Sequence, residues 1–231
     1  MKYETPIAVP PVCSHEEFAR EMGVMLQERY EKEYVNKIIE EDYAFLPPDA
    51  RREVLKIAIE EIDDGEMMRV IYKNRRRAII EREVLEYLKT NDTILPEGFF
   101  NFRLSRYHEE LRGLCARAAD EFRAKREYEE FLELLRFFVS VQISREEIVH
   151  VVWSNGEIRI QNRFRRDVTH RYEAEFIDLA SSEGATNEDL LLSALIAIAP
   201  KKIVLHNPPP PEEPIVKTIC AVFDGKVEAE A

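Results

Sequence analysis

After Ser144 the apolar residues change spacing, from about 3.6 residues, the period of a helix, to about 2, the period of a strand, and this switch limits what the chain can fold into. Ile148 to Trp153 and Glu157 to Asn162 alternate on either side of Asn155-Gly156, a dipeptide that favours the type I′ turn of a two-residue hairpin. Such a turn sets the register. Trp153 then faces Ile158 and Val151 faces Ile160 on an apolar side, while His150 faces Gln161 and Val152 faces Arg159 on a mixed side. Val168, His170, Tyr172, Ala174 and Phe176 alternate with Thr169, Arg171, Glu173 and Glu175, which predicts a third strand. Thr186 caps a helix through Ala199, Lys201 to His206 reads as a strand, Glu212 to Phe223 as a helix and 226–230 as a last strand. A strand, helix and strand of this size cross over right-handed, so 201–206 and 226–230 are expected to be parallel.

Upstream of the switch the pattern is helical. Ser14 and Glu17 have the spacing of a capping box and open a helix that ends before Pro47-Pro48. Asp49 is expected to cap a second helix, from Ala50 to about Asp64, with Val54, Leu55, Ala58, Ile59 and Ile62 on one face. A third runs from Glu66 to about Leu88, and a fourth from Phe99 places Leu104, Tyr107, Leu111, Leu114 and Ala118 on one side. Tyr128 to Ile143 is apolar around most of its circumference and reads as the central helix of the core. Gln142 falls in line there with Leu135 and Phe138, so it is expected to be buried and hydrogen-bonded, because an unpaired amide would cost about 1–3 kcal/mol. The fold class is α+β: an N-terminal extension over 1–13, a helical domain over 14–143, and a small α/β domain over 144–231 with about five strands.

Composition bounds the function without naming it. The 231 residues are 45% hydrophobic and 34% charged, as in soluble globular proteins, and are enough to bury a core without staples. The net charge of -12 divides into -8 over 1–65, +2 over 66–145 and -6 over 146–231, which restricts any anion-binding face to the middle third. Cys13, Cys115 and Cys220 are isolated thiols, and the five histidines lack metal-ligand spacing, so neither metal nor cofactor is expected. The longest apolar run, Leu190 to Ala199, is about half of what a membrane span needs, and the N-terminus lacks the apolar core of a signal peptide. A cytoplasmic protein is expected.

Three stretches in order, LPEGFFNFRLSRYHEEL (95–111), REYEEFLELLRFFVSVQ (126–142) and NEDLLLSALIAIAPKKIVLHN (187–207), resemble the YtxC-like family of sporulation-associated proteins of endospore-forming bacteria. The resemblance covers about residues 80–223. It implies an association with sporulation and brings no established biochemical activity.

Three groups of residues carry candidate chemistry. Lys73, Arg75, Arg76 and Arg77, joined by Arg103 and Arg106, could form a face for phosphate or nucleic acid. The structural alternative pairs Arg75 and Arg82 with acids, Arg82 with Glu86, and leaves Lys73, Arg76 and Arg77 in solvent; it is preferred. Phe99, Phe100 and Phe102 beside Arg103 and Arg106 could stack on bases, but each buried aromatic contributes about 2–3 kcal/mol, which favours a core role. His206-Asn207 ends a strand ahead of a helix, where open α/β folds place ligand sites, but with no Gly-rich phosphate loop beside it a strand-end turn closed by Pro208 is the preferred reading. With no GxSxG and no opposed carboxylates, the preferred reading is a non-enzymatic protein with an unknown protein partner. A nucleic-acid or phosphate-ligand binder using residues 73–106 is the alternative, and an enzyme is less favoured.

Overall fold

The computed structural model describes residues 5–63, 67–154, 157–169 and 186–230. The fold is α+β, with a helical part followed by a small sheet. In the first part α1 (His15–Asp42) begins at the expected capping box: Ser14 Oγ accepts from the Glu17 amide at 3.2 Å and Glu17 accepts from the Ser14 amide at 3.0 Å. α2 (Pro48–Asp63) starts one residue before the expected cap, so Asp49 lies inside the first turn, because proline is preorganised for a first helical position. α3 (Met67–Leu88) follows. The fourth helix is interrupted: α4 (Pro96–Arg103) stops at Leu104, with φ −102° and ψ 39°, before α5 (Ser105–Val141) begins. A short ladder joins β1 (Ile7–Ala8) to β2 (Thr93–Ile94).

Two compact units are present, 1–125 and 126–231, each with its own core. The division falls inside α5, so 126–141 falls in the unit that holds the sheet, whereas the sequence pattern reads it with the helical part. In the first unit Leu26 and Ile39 of α1, Val54 and Ala58 of α2, Ile80 and Val84 of α3 and Leu111 of α5 form one buried cluster. α1 and α3 approach closely at Gly23, where an added Cβ would come within 2.9 Å of Glu81 Cγ.

In the second unit β3 (Ile148–Ser154) pairs antiparallel with β4 (Glu157–Asn162) in the expected register, Trp153 with Ile158 and Val151 with Ile160. The turn residues Asn155 and Gly156 lie outside the described residues. α6 (Asn187–Ile198) opens on a second capping box, Thr186 with Asp189. β5 (Lys202–His206) leads into α7 (Pro214–Val222), and β6 (Val227–Glu230) runs parallel to β5 as expected. The sheet order is β4-β3-β5-β6, and β5 also lies parallel to β3, a pairing with no local sequence signal. The third strand expected from Val168 does not begin there: Asp167 forms a single antiparallel bridge with Gln161, Val168 lies in no strand and Thr169 is helical, while the rest of the expected strand, from His170, lies outside the described residues.

α6 and α7 bury their apolar side chains in one cluster with a single face of the sheet. That face holds Val149, Val151, Ile160, Ile203 and Leu205, all buried with Leu195 and Ile219 of the helices. The opposite face displays His150, Gln161, Lys202, His206 and Glu230.

The C-terminal half of α5 corrects two expectations. Instead of being a central core helix it buries only Leu132 and Val139, with Leu135 partly covered. Tyr128 reaches Thr218 at 3.1 Å and Arg136 donates to the Ala221 carbonyl at 2.8 Å, so a single layer containing α7 covers one side. The rest of the circumference stays exposed. Gln142, expected to be buried, is exposed for the same reason: α5 ends at Val141, leaving the amide on a part of the chain that nothing in this unit encloses.

Candidate functional site

Of the basic residues of α3, Arg76 is withdrawn from the surface. Arg76, expected in solvent, is 4% exposed and donates from Nε to Glu31 Oε1 at 2.7 Å; Glu31 is 2% exposed. The phase of α3 against α1 turns this arginine inward and brings an acid from 45 residues upstream to meet it. Gln27, one turn before Glu31 on α1, extends the network. Its amide donates to the Lys73 carbonyl at 3.3 Å and its Oε1 accepts from Arg77 Nε at 3.0 Å. Arg75 lies 3.8 Å from Glu110, and Arg82 pairs with Glu83 at 3.0 Å rather than with Glu86. Arg103 lies over the Tyr87 ring at 5.6 Å, and Arg106 is exposed on α5. Of the six cations considered for phosphate, Arg76 is removed by burial and Arg77 is engaged by Gln27.

Among the phenylalanines the core role holds for two: Phe99 and Phe100 are buried, whereas Phe102 is exposed. Phe100 is surrounded by the rings of Tyr30, Tyr34, Tyr107 and His108. His108 stacks on Tyr34 with centroids 4.1 Å apart, and its Nε2 has no hydrogen-bond partner among the described residues. Burial, followed by the charges of Arg112 and Lys37, pushes its pKa down from 6.5 to about 4. A histidine held neutral in the fold takes up a proton first in the unfolded chain, so stability falls as pH drops from 6.5 towards 4. The loss attributable to His108 should approach about 3 kcal/mol at the acid end, at about 1.4 kcal/mol per pKa unit. Denaturant titrations at pH 7 and pH 4.5 should show a smaller acid loss in His108→Phe than in the parent; equal losses would refute this.

His206 and Asn207 lie at the C-terminal end of β5. Asn207 turns the chain at φ 49°, in the left-handed region that asparagine tolerates, just before Pro208. The parallel register sets His206 beside Val152 and His150 beside Val204, so the two imidazoles meet diagonally, His150 Nδ1 to His206 Nε2 at 3.0 Å. Arg165, itself at φ 60°, brings Nη1 to 3.1 Å from the same Nε2, and a Glu230 oxygen lies 3.3 Å from His206 Nδ1. An arginine can only donate, so Nε2 accepts and the His206 proton sits on Nδ1 facing the carboxylate. Burial and the nearby Arg165 and His206 lower the His150 pKa below the usual histidine value. The arrangement can hold and orient a proton. A cavity of about 340 Å³ in this unit lies elsewhere, between β4 and α6, lined by Ile158, Ile160, Asp167, Thr169, Asn187 and Leu191 among others. His150 was visible in the sequence only as a member of the mixed hairpin face; its meeting with His206 needed the β3–β5 register.

The exposed part of α5 is the largest departure from an ordinary surface. Phe131, Leu134, Phe137, Phe138 and Val141 are 46, 51, 59, 45 and 61% exposed. At 100° per residue they fall within about 120° of arc. Together they present roughly 500 Å² of apolar surface, at the upper range for a monomer. The sequence signalled the apolar character of this segment and not which side of it stays uncovered.

No helix among the described residues is long and apolar enough to cross a membrane, and no three of their His, Cys, Asp or Glu side chains are grouped to hold a metal ion. No solved structure matches the chain. The uncharacterized protein YtxC of Bacillus subtilis (strain 168) is 30% identical over 206 residues, which is 86% of this chain and 70% of that relative. The model of the YtxC-like family matches residues 16–228, including the first helices, for which the sequence alone offered no resemblance. The chain therefore belongs to the YtxC-like family.

Proposed function

We propose that this protein is a non-enzymatic interaction protein, acting in the cytoplasm through protein contacts and, as the family resemblance implies, in sporulation. One observation carries the reading: the strip of Phe131, Leu134, Phe137, Phe138 and Val141, whose exposure in water is unfavourable and whose burial against a protein would be driven by the hydrophobic effect. The test is affinity capture from sporulating cells with a tagged chain, alongside the same chain carrying Phe137→Asp. The parent should retain a stoichiometric partner, and the variant at least about tenfold less of it, as for loss of an aromatic anchor. Equal recovery by both chains, or recovery of neither another protein nor a second copy of this chain, would refute the reading. A nucleic-acid or phosphate-ligand binder using residues 73–106 has less support, because Arg76 is buried on Glu31 and Arg77 donates to Gln27.

A further inference from the structure

We infer that the occupant of the α5 strip is a second copy of this chain, packed antiparallel about a two-fold axis level with Arg136. The inference rests on the interaction reading above and names its partner. Phe131, Leu134, Phe138 and Val141 are spaced three, four and three residues apart, the spacing by which one helix seats its side chains in the gaps of another. That spacing is symmetric about residue 136. An antiparallel copy therefore sets Leu134 against Phe138 of the partner subunit and Phe131 against Val141 of the partner subunit, and the same two contacts recur on the other side of the axis. Large side chains meet large ones across the centre, and Phe137 flanks them on the same arc.

Charge selects the direction. The strip continues towards the N-terminus of α5 with Glu130, which pairs with Arg126 at 3.3 Å, and Glu127 on the same arc, both exposed. Parallel packing would set each of these carboxylates beside its own copy. Antiparallel packing sets them instead beside the residues that follow Val141, among them Gln142 and the exposed Ile143. Area is consistent with a stable pair: the strip supplies roughly 500 Å² of the about 800 Å² that each partner of a standard interface buries. Glu127, Glu130, Gln142 and Ile143 form the rim.

Light scattering after size-exclusion chromatography should give twice the 27.1 kDa chain mass at micromolar concentration. Phe138→Asp should weaken self-association at least about a hundredfold, as for an anchor lost from the centre of an interface. It should do so without changing the far-ultraviolet circular dichroism, because the side chain is exposed in the single chain. A second measurement fixes the direction. Chains carrying Leu134→Cys and chains carrying Phe138→Cys, all with Cys13→Ser and Cys220→Ser, are oxidised each alone and, in a parallel sample, after the reduced chains have been mixed. A disulfide-linked pair in the mixture alone supports the antiparallel dimer, and a linked pair in Leu134→Cys by itself overturns it. A parent that is monomeric overturns the dimer and leaves the interaction reading in place if Phe137→Asp still loses a captured partner. A monomeric parent that captures nothing overturns both.

Discussion

Replacing Glu31 with alanine is expected to destabilise the helical unit by about 3–5 kcal/mol, the order found when one member of a buried ion pair is removed. Glu31 sits on α1 and Arg76 on α3, both almost fully enclosed, with 2.7 Å between Oε1 and Nε. Arg76 Nη2 already lacks a hydrogen-bond partner among the described residues, so the guanidinium depends on that carboxylate. Without Glu31, a charge that cannot lose its proton would remain in the core with only the Gln27 network nearby. A domain of this size has about 5–15 kcal/mol of stability in all, so the variant should unfold at markedly lower denaturant. The double replacement Glu31→Leu with Arg76→Met should behave differently, lying near the parent or above it, because both desolvation penalties disappear together. Urea denaturation of the three proteins tests this directly. A Glu31→Ala protein within about 1 kcal/mol of the parent would show that water reaches the pair and that it is not a buried charge in the relevant sense. The same experiment bears on the phosphate reading. If Arg76 were available for a ligand, losing Glu31 would change binding more than folding.

The parts of the fold that could be read from the sequence are those whose signal is local. Ser14 with Glu17 and Thr186 with Asp189 each place a hydroxyl and a carboxylate three residues apart, and both boxes form. The dipeptide Asn155-Gly156 predicts a two-residue turn, which leaves no freedom to slip, and the six residue pairs of β3 and β4 have the register it predicts. What could not be read depends on partners far along the chain. β5 pairs with the free edge of β3 across a gap in sequence that carries no turn chemistry, and the meeting of His150 with His206 depends on that pairing. Among Arg75, Arg76 and Arg77 the helix pattern alone marks Arg75 as inward-facing. The choice of Arg76 is made by where Glu31 lies on α1, 45 residues earlier. Gln142 and the core role given to Tyr128–Ile143 share one cause. An apolar helix surface announces that it will be covered, but periodicity does not say whether its own chain or another molecule covers it.

Phe100→Ala should cost about 3–5 kcal/mol, the range for removing a fully buried phenylalanine from a well-packed core. Its ring lies 5.0 Å from Tyr30, 5.6 Å from Tyr34, 5.9 Å from Tyr107 and 5.2 Å from His108 between centroids. Two of these contacts are near perpendicular, a geometry that adds about 0.5–1.5 kcal/mol per aromatic pair beyond area burial. The effect should therefore be non-additive with Tyr34→Leu, by about 0.5–1 kcal/mol, because the two rings share a contact. The substitution also has a consequence that a simple cavity elsewhere in the core would lack. His108 is held neutral mainly by its burial, and its Nε2 lies without a partner beside the ring that would be removed. If water enters the emptied space it can solvate the imidazolium, so the His108 pKa should climb from about 4 back towards 6.5. The acid loss then shrinks relative to the parent: the variant starts lower at pH 7 but loses less on acidification, because the folded pKa has moved closer to the unfolded one. Chemical-shift titration of the histidine ring protons measures the first quantity and denaturant midpoints at pH 7 and pH 4.5 the second. A variant that loses 3 kcal/mol or so with an unchanged His108 titration would mean a dry cavity. In that case the imidazole would still be out of water, and its neutral state would still be owed first to burial and then to Arg112 and Lys37.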